Sequence, residues 1–324
     1  MFSEPAFGGY HHLMKHLFIV ILTLLASAAP ADEIGFDDCG PIYGYKIGEL
    51  EKTEYRLRIC ELCCQSGRPY TIAEVNWLDA KTKKPKTLEL DGGIGASMSS
   101  HRVFFENGVL AYQNEHIHEL FRWNPSRGRF ERRKIAFPKR TKAEQKKRDQ
   151  LWEKFVKASD DDNWAAFDKL RKENSEYFTE NMGDLVAMVA RDAYAQGGIL
   201  DRLLDEKIPL DIYDFQLRTP LFNLVEFIRP LEPEQVKLAL ARVDRMLAMG
   251  ARLDIVDGDF ESPLDKVLRD HGDDEYGLKV IEELKKRGAR AQSTLLKDGA
   301  RPRTPLQTFN PRFAKIISDE AAAK

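Results

Sequence analysis

The sequence is poor in the residues that announce chemistry. Four cysteines and seven histidines occur among 324 residues. No Gly-x-Ser-x-Gly elbow and no His-Glu-x-x-His pair is present, which removes the commonest serine-hydrolase and zinc-protease signatures. Gly92-Gly93-Ile94-Gly95-Ala96-Ser97 is glycine-rich, but without the following Lys-Ser/Thr of a phosphate loop it reads as a turn. A formal net charge of −2 gives no global attraction to nucleic acid. Beyond the N-terminal region, no apolar run approaches the length of a bilayer span.

The N-terminal region differs in kind. Lys15 and His16 lead into the apolar run Leu17 to Leu25, followed by small residues and Ala29-Pro30-Ala31. Its apolar stretch reaches about 14 Å at helical rise, well short of a hydrocarbon core of roughly 30 Å. We therefore expect a secretory signal over 1–31, cleaved near Ala31, with Met14 as an alternative start and a membrane anchor as the competing reading. The expected destination is the periplasm of a bacterium or the cell exterior.

Cys39, Cys60, Cys63 and Cys64 all lie in the first third of the chain. In an oxidising compartment such an even, clustered set reads as disulfides. Cys39 is expected to pair with one of the Cys60 to Cys64 group, since a bond between the neighbours Cys63 and Cys64 is geometrically unfavourable. Zinc or redox chemistry is the alternative, but a second cysteine cluster to complete a tetrahedral site is missing.

Over 32–139 the apolar period is near two. Tyr55 to Ile59, Tyr70 to Trp77, Val103 to Phe105, Val109 to Tyr112, His118 to Trp123 and Phe130 to Phe137 are separated by Gly-Gly, Asn-Gly and Asn-Pro signals. This predicts a small antiparallel β domain, with Asn107-Gly108 and Asn124 to Gly128 as hairpin loops. His116 and His118, two apart, would share one strand face and suit a metal, or are exposed polar residues of a hairpin. An enzyme built here would need His101, His116 and His118 to converge with a carboxylate. No such constellation is legible, so neither catalytic residues nor a cofactor are expected.

From Arg127 to Arg148 basic residues dominate, with only Glu131 and Glu144 opposing them. The run either touches an anionic envelope surface, as a tether would, or is a solvated strand followed by a charged helix. The helical period starts at about Thr141, and 140–182 is read as a connector and N-terminal helical cap. Ser159 to Asn163 is a capping cluster for its second helix.

Between Gly183 and Ala291 one pattern occurs twice. Asp214 precedes Thr219-Pro220-Leu221, and Asp257 precedes Ser262-Pro263-Leu264, at a spacing of about 43 residues. Thr219 and Ser262 are suited to cap helices that begin with proline. Gly250 and Gly288 suit the left-handed ends of second helices, whose apolar stripes are Ile199, Leu203 and Leu204, then Val243, Met246 and Leu247, then Ile281 and Leu284. One helical pair cannot bury such a face, whereas stacked neighbours can.

These residues resemble ankyrin repeats. Gly250-Ala251, the turn Asp257 and Ser262-Pro263-Leu264 match the family pattern, as do Asp214 and Thr219-Pro220-Leu221. The period exceeds the family's roughly 33 residues. Phe222 and Asp265 replace its histidine, Lys207 its terminal glycine, and Leu217 and Phe260 its turn glycine. The expected fold is α+β in two domains: a disulfide-braced antiparallel β domain, then an α-helical ankyrin-like stack over 183–291, with 292–324 as a C-terminal cap or tail. The resemblance implies a protein partner, held through hairpin tips and the concave face. Tyr213, Asp214, Phe215, Leu217, Asp257, Asp259 and Phe260 are the candidate contact residues, with folding back of Phe215 and Phe260 onto the next hairpin as the competing reading. A scaffold or inhibitor, such as a toxin-neutralising immunity protein, is the expected role. The alternatives are an enzyme in the β domain and an envelope tether.

Overall fold

In a computed structural model of the chain, the described residues are 42–63, 69–90, 102–114, 117–135, 141–193, 198–228, 233–272, 275–303, 305–309 and 311–323. Outside them lie the expected signal segment, Cys39, Cys64, the Gly92–Ser97 turn, His101 and His116. The side chains of Cys60 and Cys63 are outside them too, and the disulfide pairing with them.

Two four-stranded antiparallel meanders form the β part. The first joins β1 (Ile42–Leu50), β2 (Thr53–Cys63), β3 (Pro69–Leu78) and β4 (Pro85–Leu90). The second joins β5 (Arg102–Glu106), β6 (Val109–Gln113), β7 (His118–Asn124) and β8 (Arg129–Lys134). Asn107-Gly108 closes β5 onto β6 with positive φ at both residues, and Gly128 is positive in the loop from β7 to β8, as those dipeptides predict. β1 and β4 carry no clear sequence signal for physical reasons. β1 is interrupted by a bulge between Lys46 and Gly48, and β4 has an outward-facing edge with few apolar residues.

The sheets share one core. Tyr55, Leu57, Val75 and Trp77 of the first face Val103, Leu110, Tyr112, Phe121 and Phe130 of the second. β6 departs from alternation, since Val109, Leu110, Ala111 and Tyr112 are all buried. Its other face, with Leu120, packs against Phe309, Phe313 and Ile317. The last two belong to the C-terminal helix, Pro311–Ala322. That helix is therefore a cover for the second sheet, where a C-terminal cap or tail was expected over 292–324. Burial of β6 on both faces supplies the reason.

Ten helices precede it among the described residues. α1 (Lys142–Asp160) pairs with α2 (Trp164–Glu173), and the short α3 (Ser175–Glu180) follows. α4 (Met182–Asp192) pairs with α5 (Gly198–Asp205), α6 (Pro220–Glu226) with α7 (Pro233–Ala248), and α8 (Pro263–His271) with α9 (Glu275–Lys286). α10 is Gln292–Lys297, and the C-terminal helix becomes α11. The first members α1, α4, α6 and α8 pack one upon the next, so that a single core runs from Phe155 to Leu284.

Local chemistry explains the boundaries. Thr141 and Glu144 form a reciprocal capping box on α1, and Asn163 caps α2. Thr219 and Ser262 accept from the backbone N–H of Phe222 and Asp265, each at 3.2 Å, with proline next in line. The second helices end on left-handed residues, Lys207 at φ 56°, Gly250 at 95° and Gly288 at 93°. Asp162 also crosses to α5, where its carboxylate receives the N–H groups of Gly198 and Ile199. Sequence spacing could not have shown that link. All of the described residues fall within one compact unit, Gly40–Lys324, where a separate β domain and repeat domain were expected. The return of α11 to the β part accounts for the difference.

Candidate functional site

The turns ahead of α6 and α8 are built alike. Asp214 Oδ1 accepts from the N–H groups of Gln216 and Arg218, and Asp257 Oδ1 accepts from those of Asp259 and Glu261. In each turn the aspartate N–H also bonds the carbonyl four residues on. The chain reverses through a left-handed residue, Leu217 at φ 60° and Phe260 at 62°. The side chains of both are buried, which offsets the cost of placing a non-glycine residue there.

Four of the seven expected contact residues are thereby removed from the surface. Asp214, Leu217, Asp257 and Phe260 are at most 4 % exposed. The aspartates are consumed in holding the turns, and Phe260 lies edge-on to Tyr45 of β1, with ring centroids 5.3 Å apart. Asp259 is partly buried, and its carboxyl is pushed up by burial and then by the Asp257 charge. Phe215 alone is well exposed, at 55 %. Its backbone is clamped, the N–H donating to Asp184 Oδ1 at 2.8 Å and the carbonyl accepting from Arg102 Nη2 at 3.0 Å. Gly183 allows this approach, because a Cβ there would stand 1.9 Å from the Tyr213 carbonyl oxygen.

Consecutive turns are tied by buried charge. Arg218, with its side chain 6 % exposed, donates from Nε to Asp257 Oδ2 at 2.9 Å and from Nη1 to Glu226 Oε2 at 2.8 Å. Lys266 bridges Asp257 and Glu261, and Arg269 also reaches Glu261. Burial pushes the Glu226 carboxyl up, and the Arg218 charge opposes that shift. This network commits the charged side chains of both turns to one another. Its acids and bases alternate, so each charge is compensated in place.

The β strands and the turns together enclose a cleft of about 400 Å³. One wall is Tyr45, Ile47 and Val103 to Phe105. The second is Tyr213 with Arg252 and Asp254 to Val256, and the third is the segment Gly299 to Arg303 leading towards α11. Pro302 is buried, while Arg301 and Arg303 on either side are exposed. Arg301 Nη1 donates to the Lys46 carbonyl, and Arg303 lines the cleft beside Tyr213. Arg252 is paired with Asp254 through two bonds of 2.8 Å. Burial raises the hydroxyl pKa of both Tyr45 and Tyr213, and the Arg301 and Arg303 charges respectively pull them back.

Of these cleft residues only Tyr213 was singled out by its sequence context. Tyr45, Arg252, Arg301 and Arg303 lie too far apart in the chain for spacing to connect them. The available signal was Arg301-Pro302-Arg303, an extended tripeptide with two cations.

The other expected sites fare differently. His118 opens β7, half-buried and edge-on to Phe313 at 5.5 Å, and burial lowers its pKa. Among the described residues no group of three or more His, Cys, Asp and Glu side chains could hold a metal ion. The basic run divides between β8 and α1, with ion pairs from Arg127 to Glu131, Arg132 to Glu119, Arg133 to Glu320 and Arg148 to Glu180. No described helix is long and apolar enough to cross a membrane.

Compared with protein-family models, the chain matches none, and comparison with curated proteins likewise gives no match.

Proposed function

We propose that this chain is an exported protein-binding module of ankyrin-like build, and that it recognises its partner at the cleft and the neighbouring Phe215. The observation that carries this reading is the composition of the cleft. Tyrosine and arginine from three distant segments converge on one concavity, and those residue types dominate the energetics of protein interfaces. Phe215 adds an exposed aromatic ring on a backbone held from both sides, so little ordering is needed on binding. The repeated Asp-turn-Pro geometry supports the family resemblance, and the apolar segment ahead of Ala31 supports export.

The row of hairpin tips has no place in this reading, since most of its side chains are committed internally. Capture of proteins from a periplasmic extract by the immobilised chain, followed by mass spectrometry, tests the proposal. A specific partner should be retained by the natural chain and lost from Phe215→Ala/Tyr213→Ala, with the melting temperature little changed. Retention of that partner by the double variant would place recognition elsewhere.

A further inference from the structure

The cleft carries a charge that its own walls do not balance. Arg252 is matched by Asp254. Arg301 and Arg303 are different, because Arg301 is held by a neutral oxygen, the Lys46 carbonyl, and Arg303 lines the cleft beside Tyr213, whose hydroxyl is neutral. Neither has a carboxylate within ion-pair distance among the described residues. Two guanidinium groups thus remain uncompensated, in a chain whose formal net charge is −2. A planar guanidinium already oriented by one hydrogen bond loses little freedom on accepting a carboxylate from another molecule.

The rest of the cleft narrows the occupant further. Ile47, Val103, Phe105 and Val256 present apolar walls beside the two cations. A free inorganic anion would leave those walls unused, whereas an extended peptide with alternating acidic and apolar side chains satisfies both. Pro302 is buried between the arginines and keeps their spacing stiff.

We infer that the cleft binds an acidic peptide segment of a partner protein, with Arg301 and Arg303 receiving its carboxylates and the apolar walls its intervening side chains. This rests on the protein-binding reading above and gives the partner a chemistry.

The test uses the full chain and fluorescence anisotropy with a labelled peptide of alternating glutamate and phenylalanine. Saturable binding is expected, weakened at least about tenfold by Arg301→Ala/Arg303→Ala and strongly by raising ionic strength from about 0.05 to about 0.5 M. The same peptide with glutamine in place of glutamate should bind at least about tenfold more weakly. Because Arg301 also holds β1, Arg303→Glu at an exposed position serves as a second variant. It should lose the glutamate peptide and gain the lysine-phenylalanine counterpart. Equal binding of the glutamine peptide, unchanged binding by both variants, or displacement by millimolar inorganic phosphate would overturn the inference. If the glutamate peptide fails while a partner is still captured through Tyr213 and Phe215, only the acidic chemistry falls. If both fail, the binding reading falls with it.

Discussion

Phe260 meets Tyr45 edge-on, with ring centroids 5.3 Å apart and planes at 67°. The contact joins the turn ahead of α8 to the first β strand. Removing the buried Phe260 ring should cost about 3–5 kcal/mol, as other large-to-small core changes do. A double-mutant cycle with Tyr45→Ala should return a coupling of about 0.5–1.5 kcal/mol by urea denaturation. A cost near zero for Phe260→Ala would restore that ring to the surface and to partner binding.

Arg218 stands between the buried Asp257 and the partly buried Glu226. Arg218→Met should destabilise the chain by about 3–5 kcal/mol, because the partly buried Glu226 loses its ion-pair partner and the buried Asp257 is left with Lys266 alone. Adding Glu226→Gln should recover part of that loss, since one of the stranded charges is then gone. Chemical denaturation of both variants measures it.

Asp184 links pH to the Phe215 turn. Burial is the first cause that raises its carboxyl pKa, and the neighbouring Asp214 charge adds to it. The Phe215 N–H, Arg102 and Arg191 oppose the shift. The folded chain therefore holds this proton to a higher pH than the unfolded chain does. Its contribution to stability is complete below about pH 4, the ordinary carboxylate range, and is lost as pH rises through the folded value. Asp184→Asn keeps an acceptor for the Phe215 N–H and should flatten that decline. Stability profiles of the two proteins from pH 4 to 8 that run parallel would contradict the assignment.

Lys207 ends α5 at φ 56° with its side chain exposed. A Cβ in that conformation is unfavourable, so Lys207→Gly should stabilise the chain by about 0.5–1 kcal/mol. Thermal melting should move upward by about 1–3 °C. The same change at Leu217 should destabilise, because its buried side chain outweighs the backbone strain.

Phe313 is fully buried against the second sheet. Phe313→Ala should cost about 3–5 kcal/mol. Hydrogen exchange should locate the loss in β6 and β7, with α8 and α9 less affected. Loss of protection first in α9 and α10 would instead make this segment a cap on the helical stack.

The residues themselves determined the local elements. Asn107-Gly108, Thr219-Pro220, Ser262-Pro263, Gly250 and Gly288 each define a turn, cap or stop through backbone chemistry within a few residues, and each stands where expected. The apolar stripes that build the helical core were legible for the same reason, since helical period and burial are local facts. Tertiary structure decided what those elements were for. Asp214 and Asp257 read alike as surface acids or turn pins until their hydrogen bonds are seen. Phe260 reads as an anchor until Tyr45 arrives from more than two hundred residues earlier. The apolar run of β6 shows that it is buried on both faces without showing that α11 supplies the cover. The arginine cleft joins Tyr45, Arg252 and Arg301 across distant segments, and no sequence spacing encodes a contact made only when the chain closes on itself.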